Sequence, residues 1–260
     1  MTEQAHVGAP VLEAENLSIQ FGGLKALQEL SFSIPEKTVF SIIGPNGAGK
    51  TTFFNIVTGI YRPTGGDVRL YGESIVGLEP SRIVERGVCR TFQNIRLFQN
   101  LTVLENVMIG RQLHERTGLG DILLRTQRFR AQEAETLDRA AEILDYVGIL
   151  DDANALAKNL PYGRQRRLEI ARALATAPRL LLLDEPTAGM NPSESEEMVQ
   201  LFQRICEERG VCVLMIEHDM KVVMGVSQRI LVLNFGRQIA LGSPREVLEN
   251  EEVITAYLGD

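Results

Sequence analysis

The sequence predicts an α/β protein with a mostly parallel central sheet and an inserted α-helical subdomain. Short segments with strand patterns recur along the chain, and several are apolar throughout and separated by helical segments. A glycine-rich turn at residues 44–51 joins one such strand to a helix, whereas helical periodicity dominates residues 93–177. Because buried parallel strands form continuous apolar runs, we assign residues 11–92 and 178–260 to the sheet-containing core.

Length, composition and charge limit the class of protein. The 260 residues, 44% of them apolar, suit one large α/β domain that includes a smaller subdomain. No apolar run approaches the roughly 18 residues that span a bilayer. The polar N-terminal segment lacks the pattern of a signal peptide, so we expect a cytosolic chain. The net charge of −7 argues against nucleic-acid binding through bulk electrostatics, and we predict no such partner.

The N-terminal part is predicted to consist mainly of strands. Apolar and polar residues alternate over residues 12–21, and shorter strand patterns follow on both sides of the glycine-rich turn. A helix of about ten residues is expected to begin at Lys50. The predicted strands are residues 12–21, 31–34, 38–43 and 87–92, with a hairpin arm at 65–72.

The middle of the chain is predicted to be helical, and strands return after it. Apolar residues at helical spacing indicate helices at 102–113, 134–149 and 164–177. The weak periodicity of residues 114–133 favours a loop or a short helix. Strand patterns follow at 179–184, 211–217 and 229–236.

Residues 44–51, with the sequence GPNGAGKT, fit the phosphate-loop pattern GxxxxGK[ST]. Glycines let successive backbone N–H groups converge on an anion, and the following helix adds its positive N-terminal end. A plain glycine-rich turn is the alternative, but the preceding strand and following helix favour a phosphate site. Lys50 can reach the outer phosphates, and the Thr51 hydroxyl can bind a magnesium ion. The nucleotide contacts are assigned to Gly44, Asn46, Gly47, Gly49, Lys50, Thr51 and Thr52.

Two apolar strands end in further candidate site residues. The run LLLL leads into Asp184, which we expect beside the magnesium ion, and Glu185, a candidate general base for an attacking water. A buried strand that meets a turn is the alternative for this motif alone. His218 follows another apolar strand and is predicted to be a donor to the γ-phosphate or to the catalytic water.

With these motifs, the chain resembles the ATP-binding cassette (ABC) ATPases from about Val11 to the C-terminus. The resemblance implies a phosphate-loop NTPase fold of the ABC-ATPase type, with an N-terminal antiparallel β subdomain, and implies ATP and Mg²⁺ as ligands. It implies that Phe21 stacks on adenine, although packing in the core is the alternative. Gln93 matches a glutamine that senses the γ-phosphate, contributes to the magnesium site and contacts a membrane subunit. Asn191 lies in the matching dimer-contact loop, where the family often has Asp.

The family's signature motif, Leu-Ser-Gly-Gly-Gln, is matched only in part by residues 160–164, LPYGR. In the family this motif contacts the γ-phosphate held by the other subunit of a dimer. Pro161 has neither a hydroxyl nor an amide proton, so the hydrogen bond of the family's serine cannot form. An ordinary helix-capping turn is the alternative. The resemblance assigns the remaining nucleotide contacts to Tyr162, Gly163 and Arg164, and the Arg164 cation can partly compensate for the missing hydroxyl.

A finer resemblance concerns the stretches YGRQRRLEIARAL, DEPTAGMNP and ITAYLGD. They resemble the longer type of ATP-binding subunit of branched-chain amino acid importers. This implies a second ABC ATPase subunit, identical or different, two integral membrane permeases and, indirectly, a periplasmic substrate-binding protein. The chain would then lie on the inner face of the cytoplasmic membrane. Similar proteins serve urea, other amides and other amino acids, so the substrate is inferred only by analogy.

Two other functions share the same ATPase motifs. A soluble ABC ATPase of the iron–sulfur assembly type would have no permease partners. A nucleic-acid-associated cassette protein usually carries a coiled-coil insertion or a second cassette, and the sequence has one phosphate loop, no long heptad insert and an acidic charge. We therefore favour the importer subunit.

Overall fold

We describe the protein from a computed structural model that covers residues 10–114, 121, 124 and 126–258. The chain divides into two compact units. One contains the residues up to Arg90 together with those from Arg179 onward, and the other contains Thr91–Pro178. The assignment of these units as a nucleotide-binding core and an inserted subdomain stays a prediction.

The first unit contains two sheets. An antiparallel sheet has the strand order β2-β1-β4-β5, and a mostly parallel sheet has the order β10-β9-β3-β8-β7-β6. In the second sheet only β10 runs antiparallel to its neighbour, β9. The strands are β1 (Leu12–Phe21), β2 (Leu24–Ile34), β3 (Val39–Ile43), β4 (Gly65–Leu70), β5 (Glu73–Ser74), β6 (Val88–Arg90), β7 (Leu180–Asp184), β8 (Cys212–Ile216), β9 (Arg229–Asn234) and β10 (Arg237–Gly242).

The helices and short 3-10 segments belong to both units. They are α1 (Lys50–Val57), α2 (Pro80–Glu85), α3 (Val103–Arg111), α4 (Gln127–Tyr146), α5 (Tyr162–Ala175), α6 (Pro192–Arg209), α7 (Met220–Val226), α8 (Pro244–Leu248) and α9 (Glu251–Leu258), with 3-10 segments at Gln112–His114, Leu150–Asp152 and Ala157–Asn159. Within the part of the chain that the structure describes, no helix combines the length and apolar character needed to cross a membrane.

Strand β2 is much longer than the predicted segment 31–34. Leu27 and Leu30 are both buried although they lie three residues apart, and Glu29 between them has a positive φ of 49°. This irregularity breaks the two-residue alternation on which the prediction depended. Strand β6 is shorter than predicted, since it covers only Val88–Arg90.

The parallel sheet is buried on both faces, as its apolar strands predict. Ile42 and Leu231 point into the main core, together with Phe53 of α1 and residues of the antiparallel sheet. Ile43 and Val232, one position further along their strands, lie in a second cluster with apolar residues of α7, α8 and α9. Successive strand residues face opposite sides, so both faces of these strands are covered. Strands β3, β7 and β8 run parallel, so they end at the same edge of the sheet.

In the second unit α3, α4 and α5 pack against one another. Gly110 of α3 allows this close packing, because a Cβ there would lie 2.4 Å from the carbonyl oxygen of Arg172 in α5. Helix α4 begins at Gln127, seven residues before the predicted start, and Thr126 caps it by accepting a hydrogen bond from the Phe129 N–H. Residues 115–120, 122, 123 and 125 of the predicted loop or short helix lie outside the described residues.

Candidate functional site

The glycine-rich turn leaves the end of β3 and leads directly into α1. Gly44 must be glycine, because a Cβ at this position would lie 2.1 Å from the carbonyl oxygen of Leu233. Gly47 and Gly49 also have positive φ values, of 80° and 104°. No side chain caps the N-terminus of α1, so its positive end remains available to an anion. This geometry fits the phosphate groups of a nucleotide.

Lys50 occupies the first position of α1 and spans the turn. Its Nζ donates hydrogen bonds to the carbonyl oxygens of Gly44, at 2.6 Å, and Pro45, at 3.0 Å. Burial lowers the pKa of Lys50, while the charges of Glu185 and Asp184 act in the opposite direction. The structure therefore brings the cation of the turn and the two predicted carboxylates into one electrostatic environment.

The other predicted residues of the turn lie on its surface or in the first turn of the helix. Asn46 is exposed within the turn, Thr51 is exposed on α1, and Thr52 is half-buried beside it. Their positions on the turn and at the N-terminus of α1 are compatible with the predicted contacts to a nucleotide.

Asp184 ends β7 and is almost fully buried. Its Oδ2 accepts a hydrogen bond from Arg90 Nη2 at 2.7 Å, and Arg90 Nη1 donates to Asn55 Oδ1 of α1 at 2.7 Å. The guanidinium group also lies over the ring of Phe54, 5.3 Å from its centre. Arg90 thus orients the Asp184 carboxylate relative to α1. Sequence reasoning missed Arg90, for which the only signal was a basic residue inside a predicted short strand.

Glu185 follows Asp184 with a positive φ of 48°, which is unusual for a non-glycine residue. Its N–H donates to the Ile216 carbonyl oxygen at 2.9 Å, which ties this turn to the end of β8. Such backbone strain costs about 1–3 kcal/mol and is concentrated at functional sites. The hydrogen bond and this backbone conformation together fix Glu185 directly after β7.

Glu217 is a buried carboxylate that sequence reasoning did not single out. Its Oε1 accepts hydrogen bonds from the Thr187 N–H, at 3.1 Å, and from the Thr187 hydroxyl. Its Oε2 accepts from the His218 N–H at 2.9 Å. One side chain therefore fixes both the turn after Glu185 and the backbone of His218. The sequence feature that could have identified Glu217 is its position as a charged residue directly after the apolar run of β8.

His218 lies beside Glu185, as the strand-end argument expected. Its Nδ1 is 3.8 Å from Glu185 Oε2 and 3.8 Å from Glu217 Oε2, distances that exceed those of hydrogen bonds. The imidazole is 67% exposed, so it can reach a ligand or a water molecule at the sheet edge. The first unit thus brings together the phosphate loop, Asp184, Glu185 and His218.

Phe21 ends β1 and is partly exposed rather than buried in the core. Its ring packs edge-on against that of Tyr61, with 5.1 Å between the ring centres. The exposed aromatic surface is suited to stacking on a planar base. Tyr61 was missed by sequence reasoning, and its position after α1 offers no local signal.

The remaining predicted residues belong to the second unit. Gln93 is exposed in an irregular segment. Tyr162, Gly163 and Arg164 form the first turn of α5, and Pro161 is its N-cap without a side-chain hydrogen bond. Arg164 forms an ion pair with Asp152, so the cation that could compensate for Pro161 already has an acidic partner.

The donor set near the phosphate loop also fits a magnesium ion held partly by a nucleotide. Among the described residues, no group of three or more His, Cys, Asp or Glu side chains is placed to bind a metal. Mg²⁺ typically uses one or two protein oxygens, phosphate oxygens and waters, rather than a cage of protein ligands. The Thr51 hydroxyl and the Asp184 carboxylate match that requirement.

A mostly parallel sheet with a phosphate loop after β3 and two carboxylates at the end of β7 is typical of the class of phosphate-loop nucleotide-binding proteins. Comparisons with known proteins identify the family within this class. The sequence profile described as "ABC transporter" matches residues 27–188. The profile described as "Branched-chain amino acid ATP-binding cassette transporter" matches residues 237–260.

Curated relatives cover almost the whole chain. The chain is 48% identical, over 96% of its length and 98% of the relative, to the high-affinity branched-chain amino acid transport ATP-binding protein LivG of Salmonella typhimurium. The same identity and coverage hold for BraF, the corresponding high-affinity transport protein of Pseudomonas aeruginosa. The chain therefore belongs to the ABC transporter family, as one of its ATP-hydrolysing cassettes, and the resemblance stated from the sequence is confirmed.

Solved structures agree with this assignment. The ADP conformation of MJ1267, an ATP-binding cassette of an ABC transporter, matches with a TM-score of 0.85 and 30% identity, covering 97% of this chain and all of that one. A dimeric bacterial ABC transporter cassette, MJ0796, matches with a TM-score of 0.75 and 28% identity over 90% of this chain and 99% of that one. The predicted ABC-ATPase fold is confirmed.

Proposed function

We propose that this chain is the ATP-hydrolysing subunit of an importer for branched-chain amino acids, or for related amino acids and amides. The observation that carries the proposal is 48% identity, over 96% of the chain, to transport proteins of that named specificity. The match of residues 237–260 to a profile of the same description supports it independently. These residues lie outside the part matched by the general ABC transporter profile.

The phosphate loop and Lys50 would bind the phosphates of ATP, and Phe21 would stack on adenine. This proposal is supported by the glycine geometry of the turn and by the exposed ring of Phe21. Thr51 and Asp184 would hold a magnesium ion, and Gln93 would join them as the family resemblance implies. When bound, that ion neutralises charge on the outer phosphates.

Glu185 would orient and activate the water that attacks the γ-phosphate, and His218 would donate to the γ-phosphate or to that water. The electrostatic interaction of Glu185 with Lys50 supports this role, as does its distance of 3.8 Å from His218. Hydrogen bonds from the Glu185 and Thr187 N–H groups tie the backbone of this turn to Ile216 and Glu217, which also supports the role. Water attack breaks the bond between the γ-phosphorus and the bridging oxygen, and ADP and phosphate are released.

We further propose that the chain works in a dimer of cassettes. Tyr162, Gly163 and Arg164 would contact the nucleotide bound to the partner, while Gln93 would transmit nucleotide state to a permease. The dimeric structure of a similar cassette supports this arrangement. The complete transporter would contain two permeases and a substrate-binding protein, with this chain on the inner face of the membrane. ATP binding would close the dimer, and hydrolysis would open it.

The test is gentle detergent purification of full-length Glu185→Gln from its native membrane with ATP and magnesium. This variant should retain ATP but hydrolyse it slowly, which keeps the assembly closed. We expect two permeases and a second cassette subunit to co-purify, and the associated binding protein to bind leucine, isoleucine or valine in a ligand screen. Recovery only with non-membrane partners would instead favour a soluble ABC ATPase. A binding protein that prefers urea or another amide would change the substrate while retaining the importer.

A further inference from the structure

The segment that carries Gln93 is held by a buried ion pair on α5. Arg166 Nη1 donates to the Phe92 carbonyl oxygen at 2.7 Å, and Arg166 Nη2 donates to the Gln93 carbonyl oxygen. Glu169 Oε1 accepts from the Arg96 N–H at 3.3 Å and, more weakly, from the Phe92 N–H at 3.5 Å. Four backbone groups of this irregular segment, at Phe92, Gln93 and Arg96, are therefore hydrogen-bonded to two side chains of one helix.

The ion pair itself is almost completely removed from solvent. Arg166 Nη1 lies 3.1 Å from Glu169 Oε2, and the two side chains are 3% and 2% exposed. A buried pair gains little net stability, because both charges lose their hydration. A buried, bidentate guanidinium does fix the geometry of the groups around it. Its contacts with the Phe92 and Gln93 carbonyls make the position of Gln93 dependent on α5.

The same guanidinium also reaches the signature turn. Arg166 Nη2 and Nε donate to the Tyr162 hydroxyl at 2.9 and 3.2 Å. The Arg166 guanidinium also lies 5.4 Å from the centre of the Tyr162 ring. Tyr162 occupies a position where the family's signature motif has glycine, so this contact depends on a side chain that the motif lacks. One cation thus contacts both the Gln93 segment and the signature turn.

We propose that Arg166 and Glu169 are positioning residues that join the Gln93 segment to the signature turn, so that the two change position together during the ATPase cycle. The inference rests on the proposed role of Gln93 in sensing the γ-phosphate. Through this link, the state of the chain's own nucleotide reaches the turn that contacts the partner's nucleotide. Both residues would act through the segments that they hold.

Helix α4 offers a matched control. Arg139 and Glu142 have the same three-residue spacing and a similar distance, 2.8 Å, but their side chains are 56% and 58% exposed. An exposed pair of this kind contributes little, because water screens both charges. Arg139→Lys should therefore leave kcat and the KM for ATP unchanged, whereas Arg166→Lys removes the forked contact to two carbonyl oxygens.

The experiment measures steady-state ATP hydrolysis of the full-length chain in a double-mutant cycle. Arg166→Lys should lower kcat roughly fivefold with little change in the KM for ATP, because the phosphate loop is untouched. In a Gln93→Ala background, Arg166→Lys should cause no further loss. An equal loss in both backgrounds, or no loss in either, would overturn the inference while leaving the ATPase assignment intact. Wild-type kcat in Gln93→Ala alone would reject the proposed role of Gln93, and the inference with it.

A second variant covers the case in which Arg166→Lys fails to fold. Tyr162→Phe removes only the hydroxyl of a residue that is itself partly exposed, so the chain should fold normally. Its kcat should fall by a smaller factor, roughly twofold, and this loss should also disappear in the Gln93→Ala background. A loss that persists without the Gln93 side chain would mean that Tyr162 acts directly on nucleotide, which would contradict the link.

Discussion

The phosphate loop and the signature turn both lead into the N-terminus of a helix, but they are built differently. Three glycines of residues 44–49 have positive φ, and Lys50 spans the turn through two carbonyl oxygens. None of residues 160–164, all of which the structure describes, has positive φ. Pro161 occupies the N-cap of α5 without a side-chain hydrogen bond. The phosphate loop is therefore defined by its backbone, whereas the signature turn depends on which side chains it carries.

This difference predicts how each turn responds to substitution. The phosphate loop carries one cation, Lys50, whose removal should be severe. The signature turn has ordinary helical geometry, so a substitution there can lower or raise activity through its side chain while the backbone is retained.

Lys50→Met should abolish detectable ATP hydrolysis and weaken ATP binding, because the cation that contacts the outer phosphates is lost. We expect a loss of at least about a thousandfold in kcat/KM, since preorganised charges contribute several kcal/mol to such transition states. Hydrolysis assays and nucleotide-binding titrations measure both quantities. Lys37→Met, an exposed lysine in the turn before β3, is the control and should behave like the wild-type protein. If the variant kept more than one-tenth of the wild-type activity, Lys50 would not have the proposed contact with the outer phosphates.

Glu185→Gln should lower kcat by about 10²–10⁴-fold, the usual contribution of a general base, while ATP binding persists. Rapid-mixing measurements of phosphate release and equilibrium titration with ATP separate these two effects. Glu196→Gln, on the exposed face of α6, should change neither. If Glu185→Gln lost ATP binding along with hydrolysis, the residue would have a structural role, in line with the unusual backbone conformation of its turn.

Pro161→Ser should raise ATP turnover or ATP-driven dimerisation roughly three- to tenfold, by restoring a hydroxyl that can donate to phosphate. The new hydroxyl would also cap α5, and the loss of proline rigidity would oppose that gain, so stability should change little. Turnover and size-exclusion chromatography with ATP test this prediction. No change or a loss would mean either that residues 160–164 are misaligned with the motif or that Arg164 has taken over the function of the serine.

Asp152→Asn should have the smallest effect, because it breaks only the exposed ion pair with Arg164. We expect the Tm to fall by no more than about 3 °C, and the difference to shrink in high salt. Asp152→Asn also releases Arg164. If Arg164 and the hydroxyl introduced by Pro161→Ser contact the same phosphate, Pro161→Ser should then raise turnover by a smaller factor. Thermal unfolding at two salt concentrations and turnover of the double variant measure these effects. A large drop in Tm would show that Asp152 supports the helical unit in another way.

The sequence predicted local structure correctly where the residues of one short segment determine that structure. The glycines at 44, 47 and 49 permit a turn with positive φ, and the apolar run before Asp184 indicates a buried strand. The strands 12–21, 38–43 and 179–184 were predicted to within one residue of the observed bounds. The start of α4 and the length of β2 were wrong, because a cap and a backbone irregularity override periodicity.

The class of fold, the phosphate loop and the strand ends that carry Asp184, Glu185 and His218 follow from the order of amino acids along the chain. The folded structure decides which distant side chains meet: Arg90 pairs with Asp184 from 94 residues away, and in the second unit Arg166 reaches Phe92 from 74 residues away. Periodicity and turn chemistry act over a few neighbouring residues, so they can be read directly from the chain. A buried charge finds its partner only after the strands and helices have packed, because that partner is specified by proximity in space rather than by spacing in sequence.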